Sequence, residues 1–350
     1  MLRFHQLADV GRLPRDELPA GRRLKSNGVL SGVLHTLGYY STDVCLGTPS
    51  KRYDLIIDTG SSITAVPCSS CRACGQHHCG TSGRFDSRAS TTFQQVGCRT
   101  AALACEACVG GVQCQYSVHY TEGSAIKGHV VSDLAHFHRV GERAEQDELK
   151  RVRVYFGCQT LETGMFFKQE ADGILGLQPP RSRQRVPSML TSLHAQEQGA
   201  AEAFSLCLAD NVGLFLMGGA PQQPPRGAGA ITVPMERGAR AKYSLRLREL
   251  RVSSSGRGNA SFRTLALPMS ALSPTIVDSG TTFVYASTPV FRLLHAHLKQ
   301  QAPELERQGN KMCALLSQQR LDSMPSLQVG TPRATPRPPT SRPPPLTPSP

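Results

Sequence analysis

Two short runs carry acid chemistry: Asp58-Thr59-Gly60-Ser61-Ser62 and Asp278-Ser279-Gly280-Thr281-Thr282. In each, an aspartate is followed by a hydroxyl residue, a glycine and two more hydroxyl residues. Two carboxyl groups brought face to face cannot both ionise easily, so they share one proton. Such a pair can take a proton from water with one acid while the other protonates a carbonyl. A single Asp-Thr-Gly is weak evidence, because Asp and Gly are ordinary turn formers and a capped β-turn explains it. Two copies, each after an apolar run, are harder to explain that way. Leu55-Ile56-Ile57 precedes the first and Thr275-Ile276-Val277 the second. Each run reads as a buried strand whose end presents one carboxylate. The implied architecture is a duplicated, mainly β chain with one acid from each lobe at a cleft.

A chain of 350 residues can bury a large core and hold two lobes. It carries a net charge of +13, part of it near the ends, at Arg12, Arg15, Arg22, Arg23 and Lys25 and at Arg333, Arg337 and Arg342. No basic block is interleaved with aromatics, which argues against nucleic-acid binding. Of the 12 cysteines, eight lie close together: Cys68, Cys71, Cys74, Cys79, Cys98, Cys105, Cys108 and Cys114. That density points to disulfides formed in an oxidising compartment, with the pairing left open. The rival is zinc, since Cys68, Cys71 and Cys74 are closely spaced and His77 and His78 follow. No finger-length loop separates two pairs of ligands, so no metal is expected. Residues 1–20 lack the apolar centre of a signal peptide, and no stretch is long and apolar enough to span a membrane. A disulfide-rich chain without a signal implies an incomplete N-terminus.

Along the chain, residues 1–28 read as a pro-segment or disordered lead. Residues 29–205 form the expected N-terminal lobe, with a cysteine-rich insert over 68–114 and a hairpin over 114–128. Residues 206–329 form a partial C-terminal lobe, and 330–350 a proline-rich disordered tail. Alternation up to Tyr120, followed by Glu122-Gly123-Ser124, predicts the hairpin. Strands are expected over 130–138 and 151–156, and Ala171–Leu177 forms an apolar element containing Gly173 and Gly176. Pro187 opens a helix with Met189, Leu190 and Leu193 on its buried face. Central strands are expected at 204–208 and 214–219, a linker at 220–229, and further strands at 231–235 and 243–252. Asn259-Ala260-Ser261 is a glycosylation sequon. Ser287 or Thr288 caps a second helix with Leu293, Leu294 and Leu298 on one face.

The two acid runs resemble the Asp-Thr-Gly-Ser and Asp-Ser-Gly-Thr turns of pepsin-like aspartic proteases. Tyr40 leading to Gly47-Thr48-Pro49 widens the resemblance. The segment from Pro67 through Cys68, Cys71, Cys74 and His77 resembles the nepenthesin-type insert, in particular that of plasmepsin V-like apicomplexan enzymes. The resemblance runs over roughly residues 30–329. It implies a bilobal fold, no cofactor, and Asp58 and Asp278 as the catalytic acids. Ser61 and Thr281 would hydrogen-bond those acids. Thr59 and Ser279 would tie the two turns together, while Gly60 and Gly280 keep backbone N–H groups close to the carboxylates. Tyr120 would be the flap tyrosine over the substrate, with Glu122 and Gly123 beside it. Glu122 would take an arginine of the substrate in a bidentate fork. The implied substrates are secretory or exported proteins cut at Arg-x-Leu sites, by a monomer in the secretory lumen or outside the cell. Where the family carries a Trp after the first acid turn, this chain has Ala65, and it contains no Trp.

The chain departs from that pattern after Asp278. No second apolar-apolar-Gly element follows, and Cys313 loses its expected downstream partner. The second acid turn is therefore expected to lack a backing strand, leaving backbone groups unpaired at about 1–3 kcal/mol each. Several such groups would consume a stability margin of about 5–15 kcal/mol. The chain reads as a truncated form: an aspartic endopeptidase if the acids still assemble, an inert peptide-binding module if they do not. A zinc-binding interaction protein is the remaining alternative.

Overall fold

The computed structural model describes residues 26–30, 38–77, 83–100, 105, 107–137, 151–178, 186–197, 200–208, 213–219, 233–236, 242–253, 261–308 and 311–331. The chain is mainly β and divides into two compact units. The first comprises Met1–Gln223, Gly238–Tyr243 and Ile276–Tyr285; the second comprises Pro224–Arg237, Ser244–Thr275 and Ala286–Pro350. The second acid turn thus belongs to the same unit as the first.

The described residues of Met1–Gln223 form β1 Ser26–Leu30, β2 Ser41–Leu46, β3 Lys51–Asp58, β4 Ala65–Pro67, β5 Gln94–Gln95, β6 Ala107–Val109, β7 Gln113–His119, β8 Ala125–Phe137, β9 Val152–Thr163, β10 Gly173–Gly176, β11 Phe204–Cys207 and β12 Gly213–Met217. β1, β12 and β11 form one sheet; β2 to β10 form another, in the order β2-β3-β10-β4-β9-β8-β7-β6, with β5 on β8. β1 begins inside the stretch read as a lead.

The centre of the larger sheet explains the apolar run before Asp58. β10 runs parallel to β3, with Gly173 opposite Leu55 and Gly176 opposite Asp58, and meets β4 at Ala65. A strand enclosed in this way is buried on both faces, so its sequence is continuously apolar rather than alternating. Leu55 and Ile57 face one cluster with Val66, Phe156, Leu175 and Leu177. Ile56 faces another with Ile63, Tyr116, Ile126 and Ile174. Each fully buried side chain of this size contributes about 1.5–3 kcal/mol. Only glycine fits at Gly173 and Gly176, where a Cβ would collide with the backbone of Ala65 and Ile63.

β8 and β9 pair along nearly their whole lengths, with an irregularity between Lys127 and Gly128. Both strands extend beyond the alternating stretches over 130–138 and 151–156, because the ladder between them propagates past the local pattern. Helix α1, Met189–Gln196, buries Met189, Leu190 and Leu193 and is capped by Ser188, whose Oγ accepts from the Thr191 N–H at 3.1 Å.

Four disulfides join Cys68–Cys158, Cys71–Cys74, Cys98–Cys108 and Cys105–Cys114. Seven of the eight clustered cysteines are thereby bonded; Cys79 lies outside the described residues, as does His78. The insert is not closed on itself, because Cys68 reaches Cys158 in the middle of β9. The three cysteines spaced like zinc ligands are bonded to other cysteines, and His77 is paired with Glu162.

In the second unit, β13 is Ser244–Leu245, β14 Glu249–Ser253 and β15 Phe262–Thr264. β14 lies between β15 and a later strand, Leu327–Gly330. The expected strand over 243–252 is therefore two short ones, while residues 231–232 and Asn259 lie outside the described residues. Helix α2, Thr288–Gln301, packs Val290 and Leu294 against Leu247, Leu250 and Val252. Leu293 is exposed rather than sharing that face. The N-cap residue Ser287 donates its hydroxyl to the Ala271 carbonyl. No helix among the described residues is long and apolar enough to cross a membrane.

Candidate active site

The first acid turn leaves the end of β3 into the groove made by β10 and β4. The Leu177 N–H donates to the Asp58 carbonyl at 2.8 Å and the Gln178 N–H to the Ser61 carbonyl at 2.9 Å, so the turn is held from behind. Asp58, Thr59 and Ser61 are buried.

The second turn meets the first through a reciprocal set of hydrogen bonds. The Thr59 N–H donates to Ser279 Oγ at 3.2 Å, and the Ser279 N–H donates to Thr59 Oγ1 at 2.9 Å. The Thr59 hydroxyl donates to the Val277 carbonyl at 3.0 Å, and the Ser279 hydroxyl to the Ile57 carbonyl at 2.8 Å. Each bond is worth about 0.5–1.5 kcal/mol net, and together they fix the relative position of the two aspartates. Three further hydrogen bonds, which sequence reasoning missed, support the surroundings of the two turns. The Thr282 hydroxyl donates to the Gly38 carbonyl at 2.6 Å. The Val277 N–H donates to the Tyr243 carbonyl, while the Tyr243 hydroxyl donates to the Leu177 carbonyl.

Within each turn the glycine N–H donates to the aspartate Oδ1, at 2.7 Å for Gly60 and 2.9 Å for Gly280. Each glycine also faces the opposite acid: a Cβ on Gly60 would run into the Asp278 carboxyl, and one on Gly280 into the Asp58 carboxyl. Gly60→Ala is accordingly expected to push the two acids apart. A displacement of about 1 Å is enough to cost about a hundredfold in rate. Cleavage kinetics of that variant would check it, with far-UV circular dichroism confirming the fold.

Burial, then the charge of Asp278, holds the Asp58 carboxyl well above the usual carboxylate range; Ser61 and the Gly60 N–H pull the other way. A hydrogen bond with Asp278 adds to the upward shift. The paired geometry thus favours one proton held between two acids. Thr281 is half-buried, and no hydrogen bond among the described residues joins it to Asp278.

The hairpin of β7 and β8 carries Tyr120, Glu122 and Gly123. The Tyr120 N–H donates to the Ser124 carbonyl at 2.9 Å, and the Gly123 N–H to the Tyr120 carbonyl at 3.0 Å. Gly123 has φ +98°, a conformation that favours glycine. The Tyr120 ring packs on Phe166, with centroids 4.7 Å apart. Burial, then the Asp58 charge, raises the Tyr120 phenol well above its ordinary value, with the Ser61 hydroxyl opposing. Tyr120 is therefore near enough to Asp58 to feel its charge, whereas Glu122 is exposed at the hairpin tip.

The two turns differ in their surroundings. Beside Asp58, Ile56, Ile57 and Ile63 are buried. Beside Asp278, Ile276, Val277, Phe283 and Val284 are 43–56% exposed.

Comparison with known proteins gives this geometry a family. The chain is 32% identical to Aspartic protease 5 of Toxoplasma gondii over 205 residues, covering 54% of this chain and 20% of that protein. It is 28% identical to Plasmepsin V of Plasmodium falciparum over 190 residues, covering 54% of this chain and 30% of that one. It is 29% identical to Aspartic proteinase 39 of Arabidopsis thaliana over 266 residues, covering 71% of this chain and 51% of that one. The chain thus spans between a fifth and about half the length of these relatives. A family model described as "Xylanase inhibitor N-terminal" matches residues 40–219, which include the first acid turn, the cysteine-rich insert, the hairpin and β10. With more than half its length inside that match, the chain belongs to the xylanase inhibitor N-terminal family of pepsin-like aspartic proteases.

Proposed function

We propose that the chain acts as an aspartic endopeptidase in which Asp58 and Asp278 share one proton. The observation that carries this reading is the reciprocal Thr59–Ser279 tie, which joins the two acid turns. Asp58 is the more buried acid and its pKa is raised, so it is the better seat for the proton. Asp278 then takes a proton from the attacking water while Asp58 protonates the scissile carbonyl. Water oxygen bonds to the carbonyl carbon, giving a neutral diol. That diol collapses as one of its hydroxyls gives its proton back to Asp58, the C–N bond breaks and the leaving nitrogen takes the proton held by Asp278, which restores the pair. Tyr120 covers the bound peptide.

Cleavage is expected to be favoured by acid. The productive form needs one proton on the pair, so the rate falls as pH rises through the raised pKa of Asp58. A statine-type mimic of the diol should block the reaction, because such mimics bind far more tightly than substrates. Peptide hydrolysis by the full chain that a statine-type compound leaves untouched would refute this reading.

The substrates we propose are secretory or exported proteins with an arginine upstream of a leucine at the cut. Glu122, exposed on the hairpin, is the carboxylate proposed to take that arginine. Glu122→Ala should raise KM for Arg-x-Leu peptides about tenfold, as expected for a lost charge-assisted hydrogen bond, and leave Arg-free peptides nearly unchanged. Equal effects on both peptide classes would remove Glu122 from the specificity pocket. The four disulfides favour a secretory or extracellular setting.

A second reading has its own support. The apolar residues around Asp278 are exposed, and the family takes its name from inhibitors. A folded chain that binds peptides and statine-type mimics without turnover would establish a binding module instead.

A further inference from the structure

The chain has no Trp to pack against the Tyr120 ring. Ala65, at the place where the family carries that Trp, lies within the larger sheet at the crossing of β4 and β10. The ring that Tyr120 does meet is Phe166, at 4.7 Å and an interplanar angle of 44°. Phe166 is buried and belongs to the same cluster as Tyr116, Ile126 and Ile174. Such tilted aromatic pairs contribute beyond their buried area.

The segment carrying Phe166, which follows β9, is pinned to the hairpin and to the cysteine-rich insert. The Ala125 N–H donates to Thr163 Oγ1 at 2.9 Å, and the Met165 N–H to Ser124 Oγ at 2.9 Å. Glu162 and Gln169 bracket Phe166, and both meet His77 of the insert. His77 Nε2 lies 2.8 Å from Glu162 Oε2, and His77 Nδ1 3.3 Å from the Gln169 carbonyl. The Gly75 N–H donates to Glu162 Oε2 at 2.9 Å. The His77 and Glu162 side chains are 5% and 0% exposed, so the pair is fully enclosed. Burial alone would lower the His77 pKa, yet the hydrogen bond and charge of Glu162 outweigh it and the net shift is upward. Both ring nitrogens face acceptors, which suits a protonated imidazole donating at each end. Upstream, the Cys71–Cys74 disulfide closes the loop that delivers Gly75 and His77, and Arg84 donates to the Cys71, Cys74 and Gly75 carbonyls.

We propose that Phe166, held from the cysteine-rich insert by the His77–Glu162 pair, is a positioning residue that sets the flap tyrosine Tyr120 over the acid pair. The proposal rests on reading the hairpin as a flap. It gives the insert a role in catalysis through contact with the segment beneath that flap.

The test compares Phe166→Leu with Phe156→Leu in the full chain. Phe156 is another fully buried ring, but it lies opposite Val131, beyond residues 114–128, and packs edge-on against Phe85 in the other core cluster. Two readouts are taken. Amide exchange over residues 116–126 should quicken about tenfold in Phe166→Leu, while residues 51–58 keep wild-type exchange. In cleavage, kcat should fall about tenfold with KM within about twofold, the signature of a misplaced group rather than lost binding. Phe156→Leu should lower the unfolding midpoint without changing either readout at the flap. Should Phe166→Leu fail to fold, Phe166→Met is read in the same way. Flap exchange and kcat that are unchanged, or changed equally in both variants, would overturn the proposal. Quickened flap exchange in a chain that never cleaves would sustain the positioning role and sink the endopeptidase reading alone.

Discussion

Asp58→Asn is expected to lower kcat/KM by about a thousandfold or more, while the folded protein keeps or gains stability at neutral pH. The loss follows from the site: an amide can neither hold nor give the proton that the pair shares. The retained fold follows from shape, since the asparagine Oδ1 still accepts the Gly60 N–H where Asp58 now does, at 2.7 Å. The pH dependence of stability makes the prediction sharper. The folded-state pKa of Asp58 is raised, by burial first and by Asp278 second. A carboxyl of that kind contributes fully to stability below its unfolded pKa. That contribution is lost as pH rises through the folded pKa. The wild-type unfolding midpoint should therefore fall relative to that of Asp58→Asn between acid and neutral pH. Parallel curves for the two proteins would show that Asp58 is not held protonated.

The second large effect is on stability. Cys68–Cys158 closes a loop of 90 residues, linking the start of the insert to the centre of β9. Chain entropy assigns such a cross-link about 4–5 kcal/mol, against about 1.5–2 kcal/mol for a loop as short as that of Cys71–Cys74. β4 and β9 are also parallel neighbours, with Val66 opposite Cys158, and the Cys68 N–H donates to the Gln159 carbonyl at 3.0 Å. Replacing Cys68 and Cys158 by serine should thus loosen the strand behind the first acid turn as well as the insert. Urea unfolding should show a loss at least about twice that of the Cys71/Cys74 double serine variant. Equal losses would mean that the short loop carries the insert and that the long link does not.

The part of this fold that is legible in the sequence is the part written in local pattern. An apolar run ending in Asp58 reads as a buried strand because β10 and β2 enclose β3, so no polar face interrupts it. Gly173 and Gly176 mark β10 because nothing larger fits beside Ala65 and Ile63. Tyr120 and Gly123 show the hairpin because its turn needs a positive φ. What stays hidden depends on contacts distant in sequence. Cys158 looks like any residue of an apolar strand, and only the parallel pairing of β4 with β9 brings it to Cys68. Nothing in the local pattern around Tyr243 shows that its carbonyl accepts from Val277 just before the second turn while its hydroxyl reaches Leu177 behind the first. Phe166 lies in an irregular stretch where periodicity says nothing. Leu293 fails as a core residue because helical period alone does not say where the buried stripe is centred; Val290 and Leu294 centre it elsewhere.

Hydrolysis of an Arg-x-Leu peptide between pH 4 and 7, by the full chain folded in an oxidising compartment and by Asp278→Asn beside it, tests the shared dyad most directly. The expected result is cleavage by the wild-type chain that weakens toward neutral pH and is absent in the variant. Cleavage that survives in Asp278→Asn would contradict a dyad built from the two turns.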